Sequence, residues 1–308
     1  MAKKKKNKEF LFIPDDEKSF LPKRYRKINN ICAVIYDQLT EIYKLDNYKP
    51  LFTSEFIRPE VEKFKEEFDK GEIHVLDWLK ENEATDEITE FLTKHLVASI
   101  SSDFLNFMYE ALRCAKKGKM TVAYALVRKP LTDELFILEQ LLVDKKDFIH
   151  RFFMDGKTKG YDPSNRNIDK QDIIEKSLSK IFLNPIFSSE HIFEVRYDKS
   201  CEYGLNGLTN QALHIVTNDF RYKTEEQNLN FVFSTKKDIK RYLKHFYSFV
   251  PYLLIYAVSV IDGIIFSSLK DDDNQNLRYV KSLRRLVGFM LLNENTKVIS
   301  KHIRWRSN

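Results

Sequence analysis

Two side chains suited to chemistry on a phosphate lie one helical turn apart near the start of the most apolar stretch of the chain. Arg241 and His245 are four residues apart in RYLKH, so on a helix they are neighbours on one face. A histidine there can take a proton from a hydroxyl, and the arginine beside it can bind a phosphate. The pair is therefore the candidate catalytic site.

The direction in which Arg241 and His245 point from this helix is consistent with two interpretations of the pair. A core-facing stripe runs along the segment at Ile239, Tyr242, Leu243, Phe246 and Val250. At 100° per residue Arg241 falls almost opposite that stripe, alongside Lys237 and Lys244. The structural interpretation is a solvated basic face, and the functional one is a groove that forms when two copies pair. In the functional interpretation Lys237 and Lys244 bind nucleic acid.

A second polar cluster surrounds the proline of RKPLTDE, residues 128–134. Arg128 ends one helical run, and Asp133 with Glu134 enters the first turn of the next, an order that suits the dipoles of two helices separated at Pro130. The functional alternative is a polar pocket between helices, lined by Arg128 and Glu134.

Other familiar motifs are incomplete. Gly156-Lys157-Thr158 ends like a phosphate-binding loop, but Arg151 stands where that loop needs its first glycine. Asp271-Asp272-Asp273 begins like a calcium loop, but Asn276 and Ser282 replace its turn glycine and its bidentate glutamate. We therefore predict neither a metal site nor a cofactor.

The candidate pair must be positioned by the helix that continues through Phe246 to Leu269, in which Asp262 is the only charged residue. About 20 apolar residues can cross a bilayer. An unpaired carboxylate inside a membrane costs roughly 2.5 to 3.5 kcal/mol, however, and a helix that is apolar all round also suits the centre of a bundle. We predict a buried core helix, and a membrane span is the less favoured alternative.

Composition favours a helical fold. The chain has 308 residues, of which only 8 are glycine and 31% are charged, whereas average usage would give roughly 20 glycines. Apolar residues recur at three and four positions, for example at Ile28, Ile31, Ile35 and Leu39, and again at Val61, Phe64 and Phe68. The predicted fold is an all-α, multi-helix bundle around a long central apolar helix.

Capping signals and polar stretches divide this bundle. Thr85 is the predicted N-cap of a long helix that ends near Gly118, and Ser234-Thr235 cap the central helix. The polar connection at 155–169 separates a predicted N-terminal helical lobe, residues 16–155, from a C-terminal lobe, residues 156–308, packed on it. Residues 1–15 are a predicted basic disordered tail. One continuous domain is the alternative.

Charge and cysteine usage indicate the compartment. The net charge of +6 permits nucleic acid as a partner. Cys32, Cys114 and Cys201 are far apart and odd in number, which predicts reduced thiols. The lysine run at residues 3–6 precedes an apolar block too short for a signal peptide. These features predict a cytoplasmic protein that is not a membrane protein.

A bundle of long helices with an arginine and a histidine on one of them resembles the HEPN superfamily. Its motif is an arginine, four to six intervening residues and a histidine; here three residues separate Arg241 from His245. Members are often metal-independent ribonucleases in prokaryotic defence and toxin systems, and they act as homodimers with the sites at the interface. The resemblance, which covers about residues 96–269, implies the same for this chain.

Two functions follow as hypotheses. In the first, the protein is a metal-independent endoribonuclease in which His245 takes the 2′-hydroxyl proton of RNA and Arg241 stabilises charge on the phosphate. In the second, it is a non-catalytic interaction module that docks a protein or nucleic-acid partner through its basic face or its last helix. The basic residues predicted for that last helix are Arg278, Lys281, Arg284 and Arg285.

Overall fold

The computed structural model describes residues 11–53, 70–71, 74–201, 204–269 and 272–299, and within these ranges it contains eleven α-helices and no strand. The first six helices are α1 Lys23–Thr40, α2 Val75–Glu81, α3 Thr85–Lys116, α4 Met120–Arg128, α5 Leu135–Val143 and α6 Lys145–Ile149. The other five are α7 Lys170–Lys180, α8 Ser189–Tyr197, α9 Leu205–Leu213, α10 Lys236–Ser268 and α11 Asp272–Ile299. The all-α prediction is confirmed.

Helix α10 is the central element, as predicted. Its N-terminus is fixed by a capping box, in which the Thr235 hydroxyl accepts from the Asp238 backbone N–H and the Asp238 carboxylate accepts from the Thr235 backbone N–H. From Phe246 to Ile261 every residue is buried. It packs against α1, α3, α4, α5, α7 and α11, so an all-round apolar surface is covered on every side.

The buried apolar residues form one cluster, which runs from Leu11 to Leu292 and includes residues on both sides of the predicted boundary between 155 and 156. The core is therefore shared, and the division into 16–155 and 156–308 stays a prediction. Within the predicted tail 1–15, Leu11 and Ile13 are buried, and the side-chain amides of Asn29 and Asn30 donate to their carbonyls at 2.8 Å. The packed chain thus begins earlier than predicted.

By length and composition α10 could cross a bilayer, and it is the one such helix among the described residues. Of its most apolar window, 89% is buried inside the molecule. A core helix of a bundle has both properties. Its position relative to a membrane stays a prediction.

The one carboxylate in the apolar part of α10 has a partner. Arg285 Nε lies 3.2 Å from Asp262 Oδ2, and the same guanidinium donates to the side chain of Gln38. One turn earlier, Lys281 pairs with Glu41. Lys281 and Arg285 are both 1% exposed, which corrects the prediction that they belong to a docking face. Charge alone did not reveal that these cations face inward toward the partly exposed acids Glu41 and Asp262.

The proline break is a single π-helical turn, residues Lys129–Glu134, rather than a gap between helices. A π-turn leaves backbone carbonyls without their α-helical partners. Arg196 supplies donors from α8: its Nε donates to the Leu131 carbonyl at 2.8 Å and its NH2 to the Thr132 carbonyl at 3.3 Å. The same guanidinium pairs with Glu139 at 2.5 Å. The break and the buried ion pair are therefore one structural unit.

One predicted helix boundary shifts by one residue and another is confirmed. Thr85 is the first residue of α3, and Ala84 occupies the N-cap position. The predicted end near Gly118 is confirmed, since this residue has a φ of +73° directly after the helix and a Cβ there would overlap the ring of Phe20. The apolar stripe at 61–68 lies outside the described residues.

Glu134 is buried and contacts two partly exposed charged residues, Asp103 and Lys129. Its carboxylate is 3.1 Å from Lys129 Nζ, which also contacts Asp103. Burial is the main cause that raises the pKa of the Glu134 carboxyl to about 7; the hydrogen-bonded Asp103 carboxyl adds to the shift and Lys129 opposes it. The folded protein therefore holds a proton on Glu134 that the unfolded chain releases near pH 4.3.

This shift predicts a pH dependence of stability. The protonated Glu134 contributes stability below about pH 4.3, and that contribution is lost as the pH rises through about 7. The free energy of unfolding should therefore decrease between pH 5 and pH 8, and in the Glu134→Gln variant this decrease should be smaller by about 1 to 3 kcal/mol. Urea unfolding at both pH values measures it, with the exposed Glu190→Gln as control. An unchanged fall in the Glu134 variant would contradict the assignment.

Candidate active site

A cavity of about 820 Å³ lies between the first four turns of α10 and residues from the segments 199–201 and 204–234. Its lining includes Arg241, Lys244 and His245, so a single chain brings three of the four predicted α10 residues to one cavity. Lys237 is exposed and does not line the cavity.

Helix α10 sets the direction of each of these side chains. Tyr242 and Leu243 are buried, which turns Arg241 and Lys244 outward and leaves His245 half-buried between them and the core. The Arg241 guanidinium lies 3.7 Å from the Asp238 carboxylate and 5.3 Å from the centre of the Tyr242 ring. The capping box holds the Asp238 side chain in place, and the contact with Asp238 therefore restricts the conformations of the Arg241 side chain.

A tyrosine on α4 fixes the histidine ring. The Tyr124 hydroxyl donates to the Tyr242 carbonyl at 3.0 Å and lies 2.8 Å from His245 Nδ1. When the Tyr124 hydroxyl uses its one proton for the Tyr242 carbonyl, Nδ1 of His245 is the donor to the Tyr124 oxygen. Burial raises the pKa of Tyr124 well above its usual value, and the hydroxyl therefore keeps that proton. In the neutral ring Nε2 is then the basic nitrogen.

The opposite wall of the cavity is an irregular segment with a defined conformation. The Phe231 ring stacks on Tyr242 with 4.4 Å between centroids. Its backbone has a φ of +61°, a strained value for a bulky residue that the packing must stabilise. The side-chain amide of Asn230 donates to the His214 carbonyl at 2.7 Å, and this hydrogen bond joins the two ends of the loop at residues 214–230.

The cavity is predominantly basic. Its lining contains five basic and two acidic side chains besides His245. The basic ones are Lys199, Arg221, Lys223, Arg241 and Lys244, and the acidic ones are Glu225 and Asp238. A concave surface of one sign concentrates ligands of the opposite charge. An anionic ligand with several charges therefore suits it best.

Arg128 and Glu134 do not meet, which corrects the predicted pocket. Arg128 lines a separate groove of about 960 Å³ together with Asp133. Glu134 is buried and pairs with Lys129 instead. The reason is the π-turn: such a turn pairs residues five apart, so Asp133 and not Glu134 lies one turn after Arg128.

Sequence reasoning missed several residues of the cavity. It also missed Tyr124, which lies behind the cavity wall, because this residue is 121 residues from His245 and nothing in its local sequence indicates a role. The run Phe220-Arg221-Tyr222-Lys223 did carry a signal, because aromatic and basic residues alternate in it as they do in many nucleic-acid-binding segments.

The cavity thus offers a basic nitrogen on His245, a cation one turn away on Arg241, and further lysines at its wall. These groups can take a proton from a hydroxyl and neutralise a phosphate. Their role is argued from this chemistry, since no family model, curated protein or solved structure matches the chain.

Proposed function

We propose that the protein is a metal-independent endoribonuclease related to the HEPN superfamily, acting in prokaryotic defence or as a toxin. The observation that carries the proposal is that Arg241, Lys244 and His245 line one basic cavity. Nδ1 of the histidine is hydrogen-bonded to the Tyr124 hydroxyl.

In the proposed reaction, His245 Nε2 takes the proton of an RNA 2′-hydroxyl. The 2′-oxygen attacks the adjacent phosphorus, and the bond from phosphorus to the 5′-oxygen breaks. The leaving 5′-oxygen receives a proton from the imidazolium or from water. Arg241 neutralises the charge that builds on the phosphate oxygens in the transition state. The products are a 2′,3′-cyclic phosphate and a 5′-hydroxyl.

Each group in this scheme has a physical reason. The Tyr124 hydrogen bond holds the tautomer in which Nε2 can accept a proton. Residues four apart on a helix are neighbours, so three intervening residues suffice to place Arg241 beside His245. Lys244 binds the RNA backbone from the same cavity, whereas Lys237 would contact only RNA that extends beyond it.

The test is cleavage of RNA in the presence of EDTA, because a histidine base and an arginine supply the chemistry without a metal. We expect fragments that end in a 2′,3′-cyclic phosphate, measured by mass spectrometry. DNA of the same sequence should stay intact, since it lacks the attacking 2′-hydroxyl. Intact RNA after incubation with several RNA types would contradict the proposal.

The second candidate function is the non-catalytic interaction module, and an exposed apolar face favours it. On α11 this face comprises Val280, Leu283, Val287 and Leu291, and it continues onto Val34 of α1. Exposed apolar surface of this extent marks interaction sites in many proteins. We propose that two copies of the chain contact each other through this face. If the protein cuts no RNA, the interaction module becomes the better of the two proposed functions.

A further inference from the structure

Two phenylalanine rings are exposed in the wall of the basic cavity. Phe220 is 86% exposed and Phe233 is 63% exposed, and both line the cavity with His245. Burying such a ring contributes about 1.5 to 3 kcal/mol. Two rings left in water beside an anion-binding surface therefore indicate a ligand that carries both flat apolar groups and negative charge.

The Phe220 ring is exposed although hydrogen bonds hold the loop around it. The Thr217 backbone N–H donates to Thr224 Oγ1 at 2.8 Å, and the Thr224 N–H donates to the Thr217 carbonyl at 2.9 Å. Gln211 donates from its side chain to the Tyr222 carbonyl at 3.0 Å. Phe220 lies in a turn that the Tyr222 N–H closes on the Asp219 carbonyl at 3.0 Å. The backbone thus presents the ring in a fixed position.

The cations around the rings are of two kinds. Arg221 is held by Asp219 at 2.5 Å, with its guanidinium 5.0 Å from the centre of the Phe220 ring. Lys199, Lys223 and Lys244 line the same cavity, and none forms an ion pair within the described part of the chain. These lysines are consequently available to bind phosphates in the cavity that both rings line.

We infer that Phe220 and Phe233 are stacking platforms for unpaired bases, so that the substrate is a single-stranded stretch of RNA. The inference rests on the proposed function, because it takes the same cavity as the RNA site. Aromatic rings bind bases by stacking while lysines follow the phosphates. In a duplex the base faces are already stacked on one another, so only a single strand can offer them to a protein ring.

The experiment measures binding by fluorescence anisotropy, with the His245→Ala variant as the parent so that no RNA is cut. The probes are a labelled, unstructured RNA oligonucleotide and the same strand in a duplex. Adding Phe220→Ala or Phe233→Ala to the parent should raise the Kd for the single strand about five- to a hundredfold. The slope of the affinity against salt should not change, because no phosphate contact is lost. Duplex binding should be weaker and should not respond.

Phe182→Ala is the matched control, since this ring is 53% exposed and lies outside the cavity. A single-strand Kd that neither Phe220→Ala nor Phe233→Ala raises would overturn the inference, as would equal losses for duplex and single strand. Cleavage is scored separately on the protein with His245 intact. If the protein cuts no RNA but single-strand binding depends on both rings, the proposed function fails and this inference stands. If the protein cuts RNA but single-strand binding does not depend on either ring, the proposed function stands and this inference fails.

Discussion

Replacing His245 by alanine should lower the rate of RNA cleavage about 10²- to 10⁴-fold, the range that a positioned general base supplies. The Kd for RNA should change little, because the neutral imidazole acts on the 2′-hydroxyl and carries no charge for the phosphates. Single-turnover cleavage of a labelled oligonucleotide measures the rate, and anisotropy measures the Kd. The effect should appear in the chemical step alone.

A second variant separates chemistry from folding. His245 packs 5.3 Å from Phe249 as well as against Tyr124, so alanine also removes contacts. His245→Asn leaves an amide that can donate to the Tyr124 hydroxyl but has no basic nitrogen. It should be as inactive as the alanine variant and closer to the native protein in thermal stability.

Arg241→Ala should reduce both cleavage and binding, because the arginine contacts the phosphate in the substrate and in the transition state. Lys240→Ala is the control: it removes one positive charge from an exposed site on α10 that does not line the cavity. Cleavage that persists in the His245 and Arg241 variants at the rate of the control would exclude this pair as the site.

The parts of the fold that sequence predicted are those with local causes. The stripe at Ile28, Ile35 and Leu39 is buried in α1, because the spacing of apolar residues along one helix determines which face packs. Thr235 caps α10, since its partner Asp238 is three residues away. The core position of α10 followed from its lack of a polar face.

The parts that sequence could not predict depend on distant contacts. The cavity exists because the segment 199–234 folds over the start of α10, and the irregular backbone of that segment has no periodicity from which to predict it. Tyr124 reaches His245 across 121 residues. Asp262 did carry a signal, because a carboxylate within an apolar helix needs a cation. The sequence offers several cations, however, and only packing selects Arg285.

Arg196→Met should be the most destabilising single change considered for the core, with an expected loss of about 3 to 5 kcal/mol in the free energy of unfolding. Arg196 and Glu139 side chains are both fully buried and 2.5 Å apart. Methionine would leave Glu139 without its cation, although the Tyr256 hydroxyl still donates to it at 2.7 Å. The Leu131 carbonyl in the π-turn would also lose its donor, whereas the Thr132 carbonyl still accepts from the Tyr197 hydroxyl at 3.0 Å.

A double-mutant cycle tests whether the ion pair causes this loss. Glu139→Gln alone leaves the buried arginine without its counter-charge and should also destabilise the protein strongly. The double variant contains neither charge, so its loss should be clearly smaller than the sum of the two single losses. The remaining loss belongs to the Leu131 carbonyl of the π-turn, whose donor neither methionine nor glutamine replaces. Urea unfolding at pH 7 measures all four proteins. Additive losses, or a loss below about 1 kcal/mol for Arg196→Met, would show that the break at Pro130 does not depend on the buried pair.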